Sequence, residues 1–279
     1  MDQAKNLQLK KTANNVRLDI IEAVYNAKCG HPGGSLSIAD VLTYLYFEEM
    51  NVDPANPADK NRDRFVLSKG HTAPALYSVL AERGFFPKEE LKTLRKTASR
   101  LQGHPDMKGV PGVDMSTGSL GLGFSTACGM ALSAKVSGDS YRVYSVIGDG
   151  ESQEGQVWEA AMFAAHYKLD NLVAIVDFNG LQIDGPITEV MNPTPHDDKF
   201  RAFGWHVITI DAHDFCAIES ALKEAREVKG KPTVIIAKSV KGKGVSYMEN
   251  SCEWHGQAPK EDLYLVAVAD LKKIEEELK

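Results

Sequence analysis

The sequence predicts an α/β fold: a parallel sheet with helices on both faces, three layers in all. Three observations carry this. Segments 142–147, 171–177, 205–210 and 232–238 are short, nearly continuous apolar runs rich in Val and Ile, as strands buried on both faces are. Helix-length segments at 153–167, 196–203 and 215–228 stand between them, so strand and helix alternate. An acid-bearing turn and an amide-bearing turn fall just past two of the strands, where parallel sheets bind ligands.

The elements follow in order. Ala13, Val16, Ile20, Val24 and Ala27 recur at helical spacing and give a first amphipathic helix. It stops at Cys29-Gly30, and His31-Pro32-Gly33-Gly34 reads as a loop. A second helix spans 37–49. Arg64-Phe65-Val66-Leu67 reads as a short strand, followed by a loop and a helix over 74–83. Segment 98–118 is rich in Gly and Pro and reads as a long loop, leading into a glycine-studded helix over 120–136. The regular alternation then begins. After it, Lys241-Gly242-Lys243-Gly244 opens another loop, and Leu263, Ala267, Leu271, Ile274 and Leu278 mark a last helix over 261–278. There is no internal repeat or low-complexity linker. One domain over 1–258 with a C-terminal helical tail over 259–279 is the simplest division.

Composition narrows the function class. The 32 basic and 38 acidic residues give a net charge of −6, with no basic block of the kind that tracks nucleic acid. The longest apolar runs are about five residues, against roughly 20 needed to cross a bilayer. Met1-Asp2-Gln3-Ala4-Lys5-Asn6 has no apolar core of a secretory signal. Cys29, Cys128, Cys216 and Cys252 are far apart in sequence, which argues against a cysteine zinc site and a disulfide framework. Free thiols in a cytoplasmic protein are expected.

The chemistry begins at Gly148-Asp149-Gly150-Glu151 and Asn179-Gly180-Leu181-Gln182-Ile183-Asp184-Gly185. Asp149 and Asn179 each follow a strand and can converge on one cation. The glycines let a bulky anion approach the backbone, and a helix starting just after Gly150 turns its positive end to the same place. Mg²⁺ takes about six hard oxygen ligands and shares them with phosphates, so a metal held against a diphosphate is the natural reading. Each motif alone is also ordinary turn chemistry; the pair, thirty residues apart on two strand ends, is not. Gly118-Ser119-Leu120-Gly121-Leu122-Gly123 opens a helix, but without a preceding strand or a distant acid it is a poor dinucleotide fingerprint.

Four of the eight histidines lie against glycine: His31, His71, His104 and His255. Glycine neighbours place them in loops, and the prolines after His31 and His104 bias those backbones away from the helix. Imidazoles so placed can bind sugar hydroxyls and move protons near neutral pH. His166, His196, His206 and His213 lack this setting and read as surface or satisfied core residues. No His-x-x-x-His spacing supports zinc. The Lys238–Gly244 segment could reach a sugar phosphate, but a solvated basic loop is the simpler reading.

With these residues in hand, the chain resembles the N-terminal, diphosphate-binding part of transketolase. The matching stretches are Lys28-Cys29-Gly30-His31-Pro32-Gly33-Gly34, Ser68-Lys69-Gly70-His71, Gly103-His104-Pro105, Thr117-Gly118-Ser119-Leu120-Gly121, Gly148-Asp149-Gly150-Glu151 through Gly155, Asp177-Phe178-Asn179 to Gly185, and His255-Gly256. They span about 10–260 in family order. The resemblance implies a thiamine diphosphate-binding fold of the diphosphate type and two-carbon ketol transfer between sugar phosphates. It implies that Asp149, Asn179 and the Leu181 carbonyl hold a divalent cation (Mg²⁺, or Ca²⁺ or Mn²⁺), and that His71, His255 and the Gly150 backbone contact the diphosphate. Gly118 and Leu120 would meet the aminopyrimidine end. His31, His71, His104 and His255 would act on the substrate, and Glu154 and Glu159 would join a carboxylate network between two active sites. Full-length members carry two further domains, so a split enzyme is expected: an N-terminal subunit, inactive until a C-terminal transketolase subunit joins it, in an α2β2 assembly. Ser119 stands where many members have proline. The alternatives are the α subunit of a 2-oxo acid dehydrogenase, against which the histidine loops argue, and a non-catalytic cofactor-binding subunit.

Overall fold

The computed structural model of the chain describes residues Met1–Lys279. Its helices are α1 (Gln3–Ala27), α2 (Pro32–Ser37), α3 (Ala39–Tyr44), α4 (Ala73–Arg83), α5 (Leu122–Ser137), α6 (Gly155–His166), α7 (Ile187–Val190), α8 (His196–Ala202), α9 (Phe215–Glu227) and α10 (Glu261–Glu277). Its strands are β1 (Arg64–Leu67), β2 (Val143–Gly148), β3 (Leu172–Phe178), β4 (Leu181–Gln182), β5 (Gly185–Pro186), β6 (His206–Asp211) and β7 (Thr233–Lys238). The order β1-β2-β3-β7-β6 forms one sheet with every neighbouring pair parallel, and β4 and β5 make a small separate hairpin.

Alternation along the strands explains the three layers. Tyr144, Val146, Val173, Ile175, Ile235 and Ala237 point into one core, shared with α1, α3, α4 and α9. Val143, Ile147, Leu172, Ala174, Val176, Val234 and Ile236 point into the other, shared with α5, α6 and α8. Both faces are covered, so continuous apolar runs are required. The register pairs Gly148 with Asp177 and Asp177 with Ala237, which brings three strand ends level. Beyond β3 the chain reaches α8, on the second face; beyond β7 it packs Val245 and Met248 into the first. Chain leaving adjacent strands for opposite faces opens a crevice at their carboxyl ends.

Two expectations need correction. His31-Pro32-Gly33-Gly34 is not a plain loop: α2 begins at Pro32, and His31 is its N-cap. Proline suits a first helical position because its ring pre-sets the helical φ and its missing N–H is not needed there. Gly33 is small because a Cβ would stand 2.9 Å from the Trp254 carbonyl oxygen. Segment 37–49 is also not one helix. Ile38, at φ −99° and ψ 1°, separates α2 from α3, and the last turn, Leu45–Glu49, widens to a π-helix.

The C-terminal helix does not hang free. Ala267 and Leu271 of α10 are fully buried, Tyr264 stacks on Tyr25 of α1 with centroids 4.0 Å apart, and Asn14 Nδ2 donates to the Leu271 carbonyl at 2.9 Å.

Candidate functional site

A cavity of about 390 Å³ opens at the carboxyl ends of β1, β2, β3 and β7, within the usual range for a small-molecule site. Two walls face each other across it. One comes from the turns after β2 and β3, with Asp149, Gly150, Asn179, Leu181 and Gln182. The other carries His31, His71 and His255. Gly118, Leu120 and Glu154 line the mouth.

Asp149 is 2% exposed. Its Oδ1 accepts from Gly150 N at 2.8 Å and its Oδ2 from Gly180 N at 2.6 Å, tying the two strand-end turns together. Gly180 makes that bend at φ +78°, which glycine adopts without steric cost. Asn179 Oδ1 accepts from Leu181 N at 3.1 Å. A carboxylate, an amide carbonyl and a peptide carbonyl are hard oxygen donors, a set that could hold Mg²⁺, Ca²⁺ or Mn²⁺ and not a thiophilic metal. Burial and the nearby Asp177 push the Asp149 carboxyl up to about 7; a buried carboxylate so burdened gains from a bound cation.

The three imidazoles form a cluster. Ring centroids lie 5.1 Å apart for His31 and His71, 5.4 Å for His31 and His255, and 5.2 Å for His71 and His255. Burial lowers all three, His31 and His255 to about 4 and His71 well below the ordinary value, with nearby cations adding to it: Arg95 at His31, Lys69 at His71 and Lys241 at His255. They are neutral at pH 7. Lys241 Nζ stands 3.1 Å from His255 Nδ1. An ammonium can only donate, so Nδ1 accepts and the His255 proton sits on Nε2. His31 Nδ1 is buried with no hydrogen-bond partner.

His104 does not line the cavity. It stands behind Gly118, whose Cβ, if present, would lie 3.4 Å from the His104 ring, and its carbonyl accepts from Tyr77 Oη at 3.0 Å. Glu159 also lies outside the cavity, exposed on α6. The Gly150 N–H is turned onto Asp149, and a 3₁₀ turn, Gly150–Gln153, intervenes before α6 begins at Gly155.

Sequence reasoning missed three charged residues here. Lys241 belongs to the loop read as solvated, yet it is 2% exposed, and its Nζ donates to the Leu181 carbonyl at 3.1 Å. Only its neighbours Lys238 and Lys243 reach solvent. Its backbone is locked: Gly242 N donates to Gly33 O, Asn250 N donates to Lys241 O, and the next peptide N–H back, Val240 N, donates to His213 Nε2 at 2.9 Å. His213 Nδ1 in turn meets Asp40, which Arg17 clamps with two hydrogen bonds. Lys69 is also 2% exposed and lines the cavity. Glu151 is buried and also lines the cavity; its carboxylate accepts from Ser68 Oγ, Gly121 N and Gly148 N, so one side chain joins the loop after β1, the segment before α5 and the end of β2. The Lys-Gly and Gly-Glu neighbourhoods are visible in the motifs, but not the burial. His196, read as a surface or core residue, is a core one: its Nε2 meets Ser152 Oγ at 2.8 Å, directly behind the Asp149 turn.

Comparison with known proteins bears on this geometry. Residues 8–273 match the family described as "Transketolase, thiamine diphosphate binding domain". The chain is 47% identical over 269 residues to the 6-deoxy-6-sulfo-D-fructose transketolase subunit SqwG of Clostridium sp. (strain MSTE9), covering 96% of this chain and 98% of that protein. It is 44% identical to one subunit of the apulose-4-phosphate transketolase of Phocaeicola vulgatus, covering 99% and 97%. Against human transketolase it is 46% identical over 92% of its own length but only 41% of the other's. Among solved structures, transketolase from Campylobacter jejuni superposes with a TM-score of 0.90 at 34% identity, over 98% of this chain and 43% of that one.

Proposed function

The chain belongs to the transketolase family, in its thiamine diphosphate-binding N-terminal part, and on that footing we propose that it is one subunit of a two-polypeptide transketolase. In this reading it moves a two-carbon ketol unit from a ketose phosphate to an aldose phosphate, in the cytoplasm, as the N-terminal half of an α2β2 assembly. Residues 1–258 are the cofactor-binding domain and 259–279 a helical tail. The reading is supported by near end-to-end alignment with two relatives named as transketolase subunits, beside coverage of only 41% of a full-length transketolase.

The observation that carries the site assignment is one cavity lined by both strand-end motifs and the histidine cluster. Asp149, Asn179 and the Leu181 carbonyl hold a divalent cation, Mg²⁺ by default. His71, His255 and Gly150 contact the diphosphate, and Lys241, held between Leu181 and His255, adds a positive charge on the same side. Gly118 and Leu120 meet the aminopyrimidine end. His31, His71 and His255 bind the sugar hydroxyls and shuttle protons, joined by the exposed His104 beside Gly118; as neutral imidazoles they can both accept and donate. Glu154 and Glu159 lie on the exposed side of the chain, where a partner would complete a carboxylate network. Thiamine diphosphate, when bound, supplies the electron sink for breaking and making a carbon–carbon bond beside a carbonyl. The C-terminal partner supplies the glutamate that activates the aminopyrimidine and most of the pocket for the substrate's anionic end.

The test is reconstitution. The isolated chain should show no transferase activity and should gain it when the C-terminal subunit is added with thiamine diphosphate and Mg²⁺. Robust turnover by the chain alone would falsify the split-subunit reading. The donor panel should include pentose phosphates, ketohexose phosphates and a 6-sulfonated ketose.

A further inference from the structure

Asp177 is the last but one residue of β3, is wholly buried, and does not line the cavity. Its carboxylate nevertheless gathers donors from four parts of the chain. Oδ2 accepts from Lys69 Nζ at 2.6 Å, Ser37 Oγ at 2.7 Å and Asn179 Nδ2 at 3.1 Å, and Oδ1 accepts from Ser239 Oγ. The Lys69 ammonium also donates to the Gly34 carbonyl at 2.8 Å, so the one cation beside Asp177 is fixed at two points. A carboxylate ion-paired to a buried ammonium has lone pairs and no proton to give.

That chemistry decides how Asn179 stands. A side-chain amide has a donor end and an acceptor end of nearly the same size, and either can face a given direction. Only the NH₂ end can meet an acceptor-only carboxylate. With Nδ2 drawn to Asp177, Oδ1 must face away from it, toward the Leu181 N–H and the cavity. A carbonyl oxygen has two lone pairs, and the Leu181 N–H uses one. Were the amide reversed, its oxygen would oppose the Asp177 carboxylate and its NH₂ would face a cation.

We propose that Asp177 is a positioning residue for the cation: it selects the carbonyl end of Asn179 for the cavity, and the Lys69 ammonium and the Ser37 and Ser239 hydroxyls hold Asp177 in place to do so. This rests on the assignment of Asn179 as a cation ligand. Outer partners that orient a metal ligand typically change affinity by about 10- to 100-fold when removed.

The test is Mn²⁺ affinity, read by electron paramagnetic resonance on the full chain with thiamine diphosphate and separately with inorganic pyrophosphate. Asp177→Asn should weaken Mn²⁺ binding by about tenfold or more. In an Asn179→Ala background the same change should alter affinity by less than about twofold, since a residue acting only through Asn179 has nothing left to orient. The exchange Asp177→Asn with Asn179→Asp should restore binding, because the amide now donates to a ligand that offers oxygen in either orientation. A general loss of packing would not be rescued this way. Equal weakening in both backgrounds, or wild-type affinity in Asp177→Asn, overturns the proposal. If the single variant does not fold, a structure of the wild-type chain with Mn²⁺ and thiamine diphosphate decides: Nδ2 turned away from Asp177 overturns it, and Oδ1 on the metal supports it. A wild-type chain that binds no Mn²⁺ under any of these conditions overturns the cofactor reading and this role together; normal wild-type binding with an indifferent Asp177→Asn overturns this role alone.

Discussion

The two walls of the cavity are built on opposite plans. On the strand-end wall almost every polar atom is already partnered: Asp149 by two peptide N–H groups, Glu151 by three donors, Asn179 at both ends of its amide. On the histidine wall partners are scarce. Three rings lie edge to face or stacked, His31 Nδ1 has no hydrogen bond, and the only fixed contact is Lys241 against His255. A partnered wall cannot rearrange cheaply, and so suits a permanent occupant with fixed geometry. An under-partnered wall leaves donors and acceptors free, for the proposed diphosphate contacts of His71 and His255 and for a sugar that comes and goes.

If that contrast is right, the strand-end wall should fail abruptly when its charge is removed. Asp149 is the only carboxylate among the three candidate cation ligands, and the turns it joins depend on it for two hydrogen bonds. Asp149→Ala should lower metal-dependent thiamine diphosphate binding by at least about 100-fold, beyond the usual cost of losing an outer partner. Titration calorimetry with and without Mg²⁺ measures it. Affinity within a few-fold of wild type would mean the cation is not held here and the contrast between the walls is decorative.

Lys241 bridges the walls and gives a finer test. Burial pulls it down to about 8 despite the carboxylates nearby, so the fold tolerates this ammonium rather than gaining from it. Lys241→Met keeps the apolar stem as far as Cε and drops the charge. It should leave the melting temperature unchanged or raise it, while weakening pyrophosphate binding by about tenfold, the scale of one charge-assisted hydrogen bond. Loss of stability and of binding together would assign Lys241 to the structural frame instead.

The same contrast explains what is legible in the sequence. Asp149, Asn179 and the four histidines that each adjoin a glycine stand in local patterns, a strand followed by a turn or an imidazole beside a glycine, and local pattern is what a sequence displays. The strands read from the sequence lie within a residue of their observed ends for the same reason. Lys69, Lys241, Glu151 and Asp177 escape notice because their meaning lies in burial and in partners far along the chain: Lys69 and Asp177 are 108 residues apart, Ser68 and Glu151 83. A lysine beside a glycine looks like a solvated one until something closes over it. His196 shows the limit from the other side. Nothing in His196-Asp197-Asp198 marks a residue that props the turn behind Asp149 through Ser152.

The smallest effect separates the walls by pH. The ordinary imidazole value is 6.5, and burial holds His31 and His255 at about 4 and His71 well below 6.5. A depressed base binds its proton more readily in the unfolded chain, so stability rises with pH wherever the unfolded state holds more protons. The contribution of these rings is therefore complete above about pH 6.5 and drains away as pH falls from there toward 4. Denaturant melts across that window should show the decline, and His31→Asn with His255→Asn should flatten it by up to the equivalent of two protons, each worth about 1.4 kcal/mol per pH unit. In the metal-free chain Asp149, pushed up to about 7, takes its proton before the rings do as pH falls, so cation-dependent cofactor binding should weaken at a higher pH than the rings' contribution to stability. Parallel loss of both would mean that the walls titrate as one unit, and that the scarcity of partners around the imidazoles has no separate consequence.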